Sequence, residues 1–318
     1  MGSTSPDAAG EGGGAAASRR AATLAGLVAV GLWSSLALLT VRTEPVPPMQ
    51  LLAMSFAIAS GLGLVWTAAT TGLGALRRVP LRVHVFGTMG LFGYHALYVS
   101  ALRLAPAAEA SLIAYLWPLL IVLLSGVLPG ERLRAGHVAG AALGLAGTAL
   151  LLLGDAAGGV AGPEAWWGYA LALAAAVVWA GYSVASRALG DVPTASVAGF
   201  CAATAALSLG LHLLFEATAW PSGAGGWAAV AALGAGPVGL AFYVWDVGMK
   251  RGDIQALGAA SYAAPILSTL ALVAAGVADP SWRLVGAAGL VVAGAAMAAR
   301  ASRRRRRAQA ADAAPSGR

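Results

Sequence analysis

The sequence predicts an all-α integral membrane protein, with ten transmembrane helices arranged as two inverted five-helix repeats around a central cavity. Three observations carry this expectation. Of the 318 residues, 59% are hydrophobic and only 10% are charged, and the mean hydropathy is +0.76. Ten apolar stretches run to about 20 residues, the length a helix needs to cross a hydrocarbon layer of roughly 30 Å. A weak internal repeat recurs at a shift of about 146 residues, so the two halves of the chain echo each other.

The apolar stretches fall at 21–41, 48–69, 83–103, 107–128, 136–154, 166–187, 194–215, 227–247, 254–277 and 283–300. Short links join them, and most carry a breaker: Pro45, Pro47 and Pro48, Pro80, Pro106, Pro129, Pro163, Pro193, Pro221 and Pro280. None of these links has the length of a soluble domain. Residues 1–18, with Gly12 to Gly14 and Ala15 to Ala17, are low in complexity and read as a disordered cytoplasmic leader. They do not read as a cleavable signal, because Asp7 and Glu11 lie in them and the first apolar stretch is long enough to span. Pro6 stands where a myristoylation signal needs Ser or Thr. The expected organisation is therefore leader 1–18, first repeat 19–155, second repeat 156–300 and a basic cytoplasmic tail 301–318.

The formal net charge of +7 first reports orientation rather than a nucleic-acid partner. With the amino terminus inside, 17 of the 20 basic residues fall on the inner side, and only Arg42, Arg103 and Arg283 fall outside. Both termini are then cytoplasmic, in a bacterial inner membrane. The run Arg303 to Arg307 reads as a solvated end resting on anionic lipid.

The repeat is anchored at four points in order. Trp33 matches Trp179, and Leu97-Tyr98 matches Phe242-Tyr243. Tyr115-x-x-Pro118 matches Tyr262-x-x-Pro265, and "GAAL" from Gly140 matches "GAAG" from Gly286. Five segments per half is an odd number, so the second half enters the membrane in the opposite sense. Inverted repeats with helices interrupted at equivalent positions are a pattern of secondary transporters, with the substrate site near the midplane.

Pro118 removes one backbone hydrogen bond and presses on the carbonyl of Ala114; Pro265 does the same at Ser261. A freed carbonyl is costly in lipid and tolerable against protein or a wet cavity, so the matched pair points to helix breaks beside a cavity. A simple kink is the alternative for either proline alone. Glycine spacings such as Gly136, Gly140, Gly144 with Gly147, and Gly286 with Gly289, predict close helix contacts rather than phosphate loops.

The polar residues exclude several chemistries. His84, His95, His137 and His212 are scattered with no paired ligand at helical spacing, so no metal site is expected. No catalytic cluster and no cofactor motif is visible, and the single cysteine, Cys201, reads as packing. Asp246, four residues before Lys250, reads as half of a surface pair, and Glu109 as a carboxylate complementing the start of its helix. In "GYHALYVSALRLAP", Tyr94, His95 and Tyr98 project from one helix face, and an imidazole at membrane depth suggests a functional face. Packing is the alternative reading of such a stripe. Tyr115 and Trp117 point to nearly opposite sides of an ideal helix, and Trp179 lies too deep for a headgroup belt.

These residues resemble the drug/metabolite transporter superfamily of EamA type. Within it, "APAAEASLIAYLWPLLIVLLSG", "GYHALY" and the deep Trp179 look like the aromatic amino-acid exporters of the YddG kind. The resemblance covers residues from about 20 to 300. It implies a basket of ten helices whose central cavity is lined by Tyr94, His95, Tyr98, Tyr115, Trp117 and Trp179.

The expected function is a secondary transporter, not an enzyme, exporting aromatic or bulky apolar amino acids and related small metabolites by alternating access. The expected partners are that small-molecule substrate and membrane lipid, without nucleic acid, for a protein acting as a monomer. The runner-up is a multidrug or other small-metabolite efflux carrier of the same superfamily. A cation antiporter needs a membrane carboxylate, and the first segment has none. A phosphosugar carrier wants basic groups at depth, yet the only lysine is Lys250, near a link.

Overall fold

Prolines and small residues set where the helices of this chain start and stop. The computed structural model describes residues 7–154, 165–189, 192–276 and 279–312, and every regular element among them is helical. The link at Pro163 and the last six residues of the tail lie outside the described residues.

The first half begins with α1 (Asp7–Trp33) and α2 (Leu36–Val41). It continues with α3 (Pro48–Thr70), the short α4 (Gly74–Arg77) and α5 (Leu81–Leu104). After these come α6 (Ala107–Ala114), α7 (Trp117–Ser125) and α8 (Ala135–Gly154). Pro48 opens α3 at a position where the missing N–H has no helical partner to lose. Pro80 and Pro106 stand just before α5 and α6 in extended or near-extended backbone.

The second half comprises α9 (Ala165–Ala188), α10 (Ser196–Phe215) and α11 (Gly223–Ala235). A π turn, Gly236–Leu240, leads into α12 (Ala241–Arg251). Then follow α13 (Ile254–Ala260), α14 (Ala263–Ala274) and α15 (Trp282–Asp312). Among the described residues, eight helical stretches are long and apolar enough to cross a membrane. Two shorter apolar helices, Glu109–Ser125 and Ala135–Leu150, accompany them.

Breaks fall beside both matched prolines. The fourth predicted segment divides into α6 and α7 at Tyr115–Leu116, and the ninth divides into α13 and α14 at Ser261–Tyr262. Two further interruptions were not expected. The first segment turns at Ser34–Ser35, whose hydroxyls donate to the carbonyls of Gly31 at 2.5 Å and Leu32 at 2.8 Å. The eighth opens into the π turn at Pro237, which has no N–H to continue the ladder. At Gly239 a β-carbon would collide with the Gly234 carbonyl, so the turn needs glycine there. Helix also extends past the expected ends: α1 starts at Asp7, within the stretch read as leader, and α15 runs to Asp312, within the tail.

Helix packing is close where glycine removes the side chain. Gly140 and Gly294 face each other where α8 crosses α15, and Gly147 abuts the Ala287 carbonyl. Gly289 has nothing within 4 Å, so the packing expected of it is absent. The helices α1 and α12 touch backbone to backbone: a β-carbon on Gly248 would stand 2.7 Å from the Gly26 Cα. That contact joins the two halves of the chain.

Polar residues gather towards the two ends of the bundle. At one end Glu131 accepts from Arg187 Nη1 at 2.6 Å and from Arg19 Nη2 at 3.1 Å. Arg187 also donates to the carbonyls of Met249 at 2.6 Å and Gly252 at 2.5 Å, tying the α12–α13 turn to the same knot. At the other end Glu216 receives the backbone N–H groups of Met49 and Gln50 at 3.1 and 3.2 Å, Arg103 Nη2 at 3.0 Å, and the His212 imidazole at 3.1 Å. Glu216 thereby caps the start of α3 from another part of the chain.

Asp246 corrects the expectation of a surface pair. Its carboxylate accepts from Lys250 Nζ at 2.8 Å and Thr194 Oγ1 at 2.7 Å, and the two charged side chains are only 3% and 8% exposed. The pair sits beside Tyr182 and Ser186 of α9, and Lys250 also donates to the Val192 carbonyl at 2.8 Å.

Candidate functional site

A cavity of about 850 Å³ enters the bundle from the end that carries Glu44 and Arg103 and stops on a floor of indoles. Its volume lies within the roughly 300–1,000 Å³ of small-molecule sites. The helices α2, α3, α5, the α6–α7 break and α14 supply its walls, and the region from α11 to α12 closes one corner.

The floor follows from the sequence repeat. Trp33, near the end of α1, and Trp179, on α9, meet edge to face with ring centroids 5.9 Å apart. Trp117, at the start of α7, stands perpendicular to both, at 6.1 Å from Trp33 and 6.3 Å from Trp179. Trp33 is held by its N–H, which donates to the Pro237 carbonyl in the π turn at 3.0 Å. Trp245 packs behind all three and donates to Ser183 Oγ at 3.1 Å, so its polar atom is satisfied away from the cavity. The three indoles are thus in mutual edge-to-face contact at the Trp end of the cavity.

The walls combine rings with uncharged polar groups. Tyr94 and Tyr98, one turn apart on α5, stack at 5.9 Å with planes 10° from parallel. The Tyr98 hydroxyl pairs with Ser111 Oγ at 2.8 Å, joining α5 to α6. His95 Nδ1 donates to the Leu91 carbonyl at 2.7 Å, and its ring meets Phe56 edge-on at 5.2 Å. Phe242 stacks on Phe56 at 5.6 Å and completes the corner. Among the described residues, Glu44 and Arg103 are the charged ones that line the cavity; both are exposed, and Arg103 is engaged by Glu216.

Each of the six expected binding residues, Tyr94, His95, Tyr98, Tyr115, Trp117 and Trp179, lines this one cavity. The break at Tyr115–Leu116 explains how Tyr115 and Trp117, opposed on an ideal helix, reach the same space. Of the two prolines, Pro265 lines the cavity, whereas Pro118 is buried behind it, with its carbonyl against Gly258 of α13. Sequence reasoning missed Ser55, Phe242 and Leu233 as lining residues. Phe242 could have been found, because the repeat aligned it with Leu97; Ser55 and Leu233 carry no signal in an apolar helix. Glu109 sits in the first turn of α6, as expected, and accepts a hydrogen bond from the Tyr169 hydroxyl. Among the described residues no group of three His, Cys, Asp or Glu side chains is placed to hold a metal ion.

Many apolar spans around one deep, ring-lined cavity define a multi-pass membrane protein built to take a small molecule. The chain belongs to the EamA-like transporter family, which it matches over residues 20–153 and again over 166–300. It is 59% identical over 283 residues to the aromatic amino acid exporter YddG of Ancylobacter novellus, covering 88% of this chain and 98% of that protein. The proteins of the same description from Salmonella typhimurium and Escherichia coli are 30% and 28% identical, covering 78% and 79% of this chain and 86% and 87% of their own lengths. A solved crystal structure of a protein 57% identical superposes with a TM-score of 0.84, covering 88% of this chain and 97% of its own.

Proposed function

We propose that this protein is a secondary transporter that exports aromatic or bulky apolar amino acids and related small metabolites by alternating access. One observation carries the reading: a cavity large enough for an amino acid is lined by Tyr94, Tyr98, Tyr115, Trp117 and Trp179, open at one end and stopped by packed indoles at the other. Rings of this kind offer stacking and edge contacts to a substrate ring. His95 and the hydroxyls offer neutral partners to its polar end. The printed names of three relatives, all aromatic amino acid exporters, support the same substrate class.

Ten spans in two inverted sets of five form the scaffold in this proposal. The two shorter apolar helices complete the eight long ones, and the double family match follows the sequence repeat. The Glu131 end, which gathers Arg19, Arg187 and Arg251, is cytoplasmic, as are both termini, in the inner membrane of a bacterium. The cavity then faces outward, the state in which an exporter releases substrate. The protein acts as a monomer with a leader at 1–18 and a tail at 301–318.

A cation antiporter is less well supported, since among the described residues the one carboxylate lining the cavity is the exposed Glu44. Counterflow in proteoliposomes with a panel of labelled amino acids tests the proposal. Exchange of tryptophan, phenylalanine and tyrosine well above that of alanine and lysine is expected. Exchange of cationic drugs without exchange of any aromatic amino acid would replace it with the efflux alternative.

A further inference from the structure

Trp33 and Trp179 are matched in the repeat, yet the chain leaves them in opposite directions. From Trp33 it follows the cavity wall through Leu36 and Thr40 to Glu44, whereas from Trp179 it follows α9 to Arg187, which bonds Glu131 at the other end of the bundle. A narrow cleft lies on that second path, with room for about one water molecule. Its lining includes Tyr182, Ser186, Leu189, Val192, Asp246 and Lys250. The Tyr182 ring packs on that of Trp179 with centroids 5.4 Å apart, so the cleft begins beside the indole floor.

The cleft matches the open cavity in the repeat. Moved back by the shift that carries Trp33 onto Trp179, Tyr182, Ser186, Leu189 and Val192 fall on Leu36, Thr40, Thr43 and Val46, and each of these lines the open cavity. One wall is thus open in the first half of the chain and its match is pinched in the second. A strap from α12 does the pinching: Lys250 Nζ donates to the Val192 carbonyl at 2.8 Å and to Asp246 at 2.8 Å, and Asp246 accepts from Thr194 Oγ1 at 2.7 Å. Val192 and Thr194 belong to the link between α9 and α10, so the strap draws that link onto α12. Both charged side chains are buried. Such a pair is costly to break while either charge stays dry, and cheap to part once water reaches both.

We propose that this cleft is the closed entrance by which substrate reaches the indole floor from the Glu131 face, and that the Asp246–Lys250 strap is its latch. The proposal rests on the alternating-access reading above and adds to it where the second opening lies and what holds it closed. On opening, the α9–α10 link parts from α12, Asp246 and Lys250 separate into water, and Tyr182, Ser186 and Val192 line a vestibule as Leu36, Thr40 and Val46 do now. An α-amino acid entering as a zwitterion meets opposite charges for both its ends at that threshold. Removing the Asp246 charge strands Lys250 in the closed cleft and leaves it hydrated in the open one, so neutralisation favours opening.

Sided thiol labelling tests this, in a Cys201→Ser background so that no native thiol competes. A membrane-impermeant maleimide is applied to right-side-out and to inside-out vesicles bearing either Thr269→Cys, in the open cavity, or Ser186→Cys, in the cleft. The two variants should react from opposite faces of the membrane. Adding Asp246→Asn should speed reaction at Ser186→Cys about fivefold and slow it at Thr269→Cys, because one state grows at the expense of the other. Lys250→Gln, which strands Asp246 instead, should act in the same way. Faster reaction at both positions reports lost packing and overturns the latch, as does no change at either. Ser186→Cys that reacts from the face of Thr269→Cys, or from neither face in protein that exchanges tryptophan, overturns the entrance. All of these leave the exporter reading standing, whereas no tryptophan counterflow in the unmodified protein removes both.

Discussion

Trp33 and Trp179 meet edge to face at 5.9 Å, one from each half of the sequence repeat, and with Trp117 they form the floor of the cavity. Residues matched in sequence therefore converge in space. The floor belongs to neither half alone, so a rearrangement of one half against the other must open it or rebuild it.

Truncating that floor should discriminate by substrate size. Trp179→Ala removes a ring that lies within 6.4 Å of Trp33, Trp117 and Trp245. Aromatic pairs contribute about 0.5–1.5 kcal/mol beyond area, and a substrate ring at this site loses at least one. A rise of about tenfold in the concentration for half-maximal tryptophan counterflow is expected, with less than about threefold for alanine. Equal loss for both would assign Trp179 to the scaffold.

The Glu131 knot should rank its arginines. Arg187 is 16% exposed at its side chain and bonds Glu131, Met249 and Gly252, whereas Arg19 is 30% exposed and bonds Glu131. Removing one partner of a well-buried pair costs roughly 3–5 kcal/mol, a figure that falls with exposure. Arg187→Ala should lower the thermal unfolding midpoint in detergent more than Arg19→Ala does. Equal midpoints would contradict the role given to the α12–α13 turn.

Gly248 should tolerate no side chain. The nearest atom to a β-carbon there is the Gly26 Cα of the facing helix, which cannot swing aside. Overpacking of this kind costs about 1–3 kcal/mol, so Gly248→Ala should measurably lower the midpoint and Gly248→Val more so. Gly289→Ala, facing open space, serves as the control and should leave it unchanged.

Glu216 should matter for stability more than its place in a link suggests. Glu216→Gln keeps the shape but removes the charge that meets Arg103, His212 and the start of α3. A loss of about 1–3 kcal/mol is expected from the weakened bonds. An unchanged midpoint would show that water replaces those bonds without cost.

The all-helical architecture was legible because lipid crossing imposes length and apolarity on every span. The breaks beside Pro118 and Pro265 were legible because proline removes a specific backbone bond. Tyr94, His95 and Tyr98 stood out as ionisable and ring side chains at helical spacing. The π turn at Pro237 was not legible: the same residues continue a helix in many membrane spans, and Gly239 decides only through its contact with Gly234. The burial of Asp246 escaped because spacing to Lys250 says which residues pair, not which way the pair faces. Glu131 and Glu216 lie in links, and only the packed structure turns them inward.

The central claim is that the ring-lined cavity is where the substrate sits. Thr269 lies on its wall, and the native Cys201 is fully buried, so a Thr269→Cys variant offers one reactive thiol within the cavity. Its rate of modification by a small maleimide should fall when tryptophan is added and remain unchanged when alanine is added at the same concentration. Modification at one rate with and without tryptophan, in protein that still exchanges tryptophan, would place the substrate elsewhere.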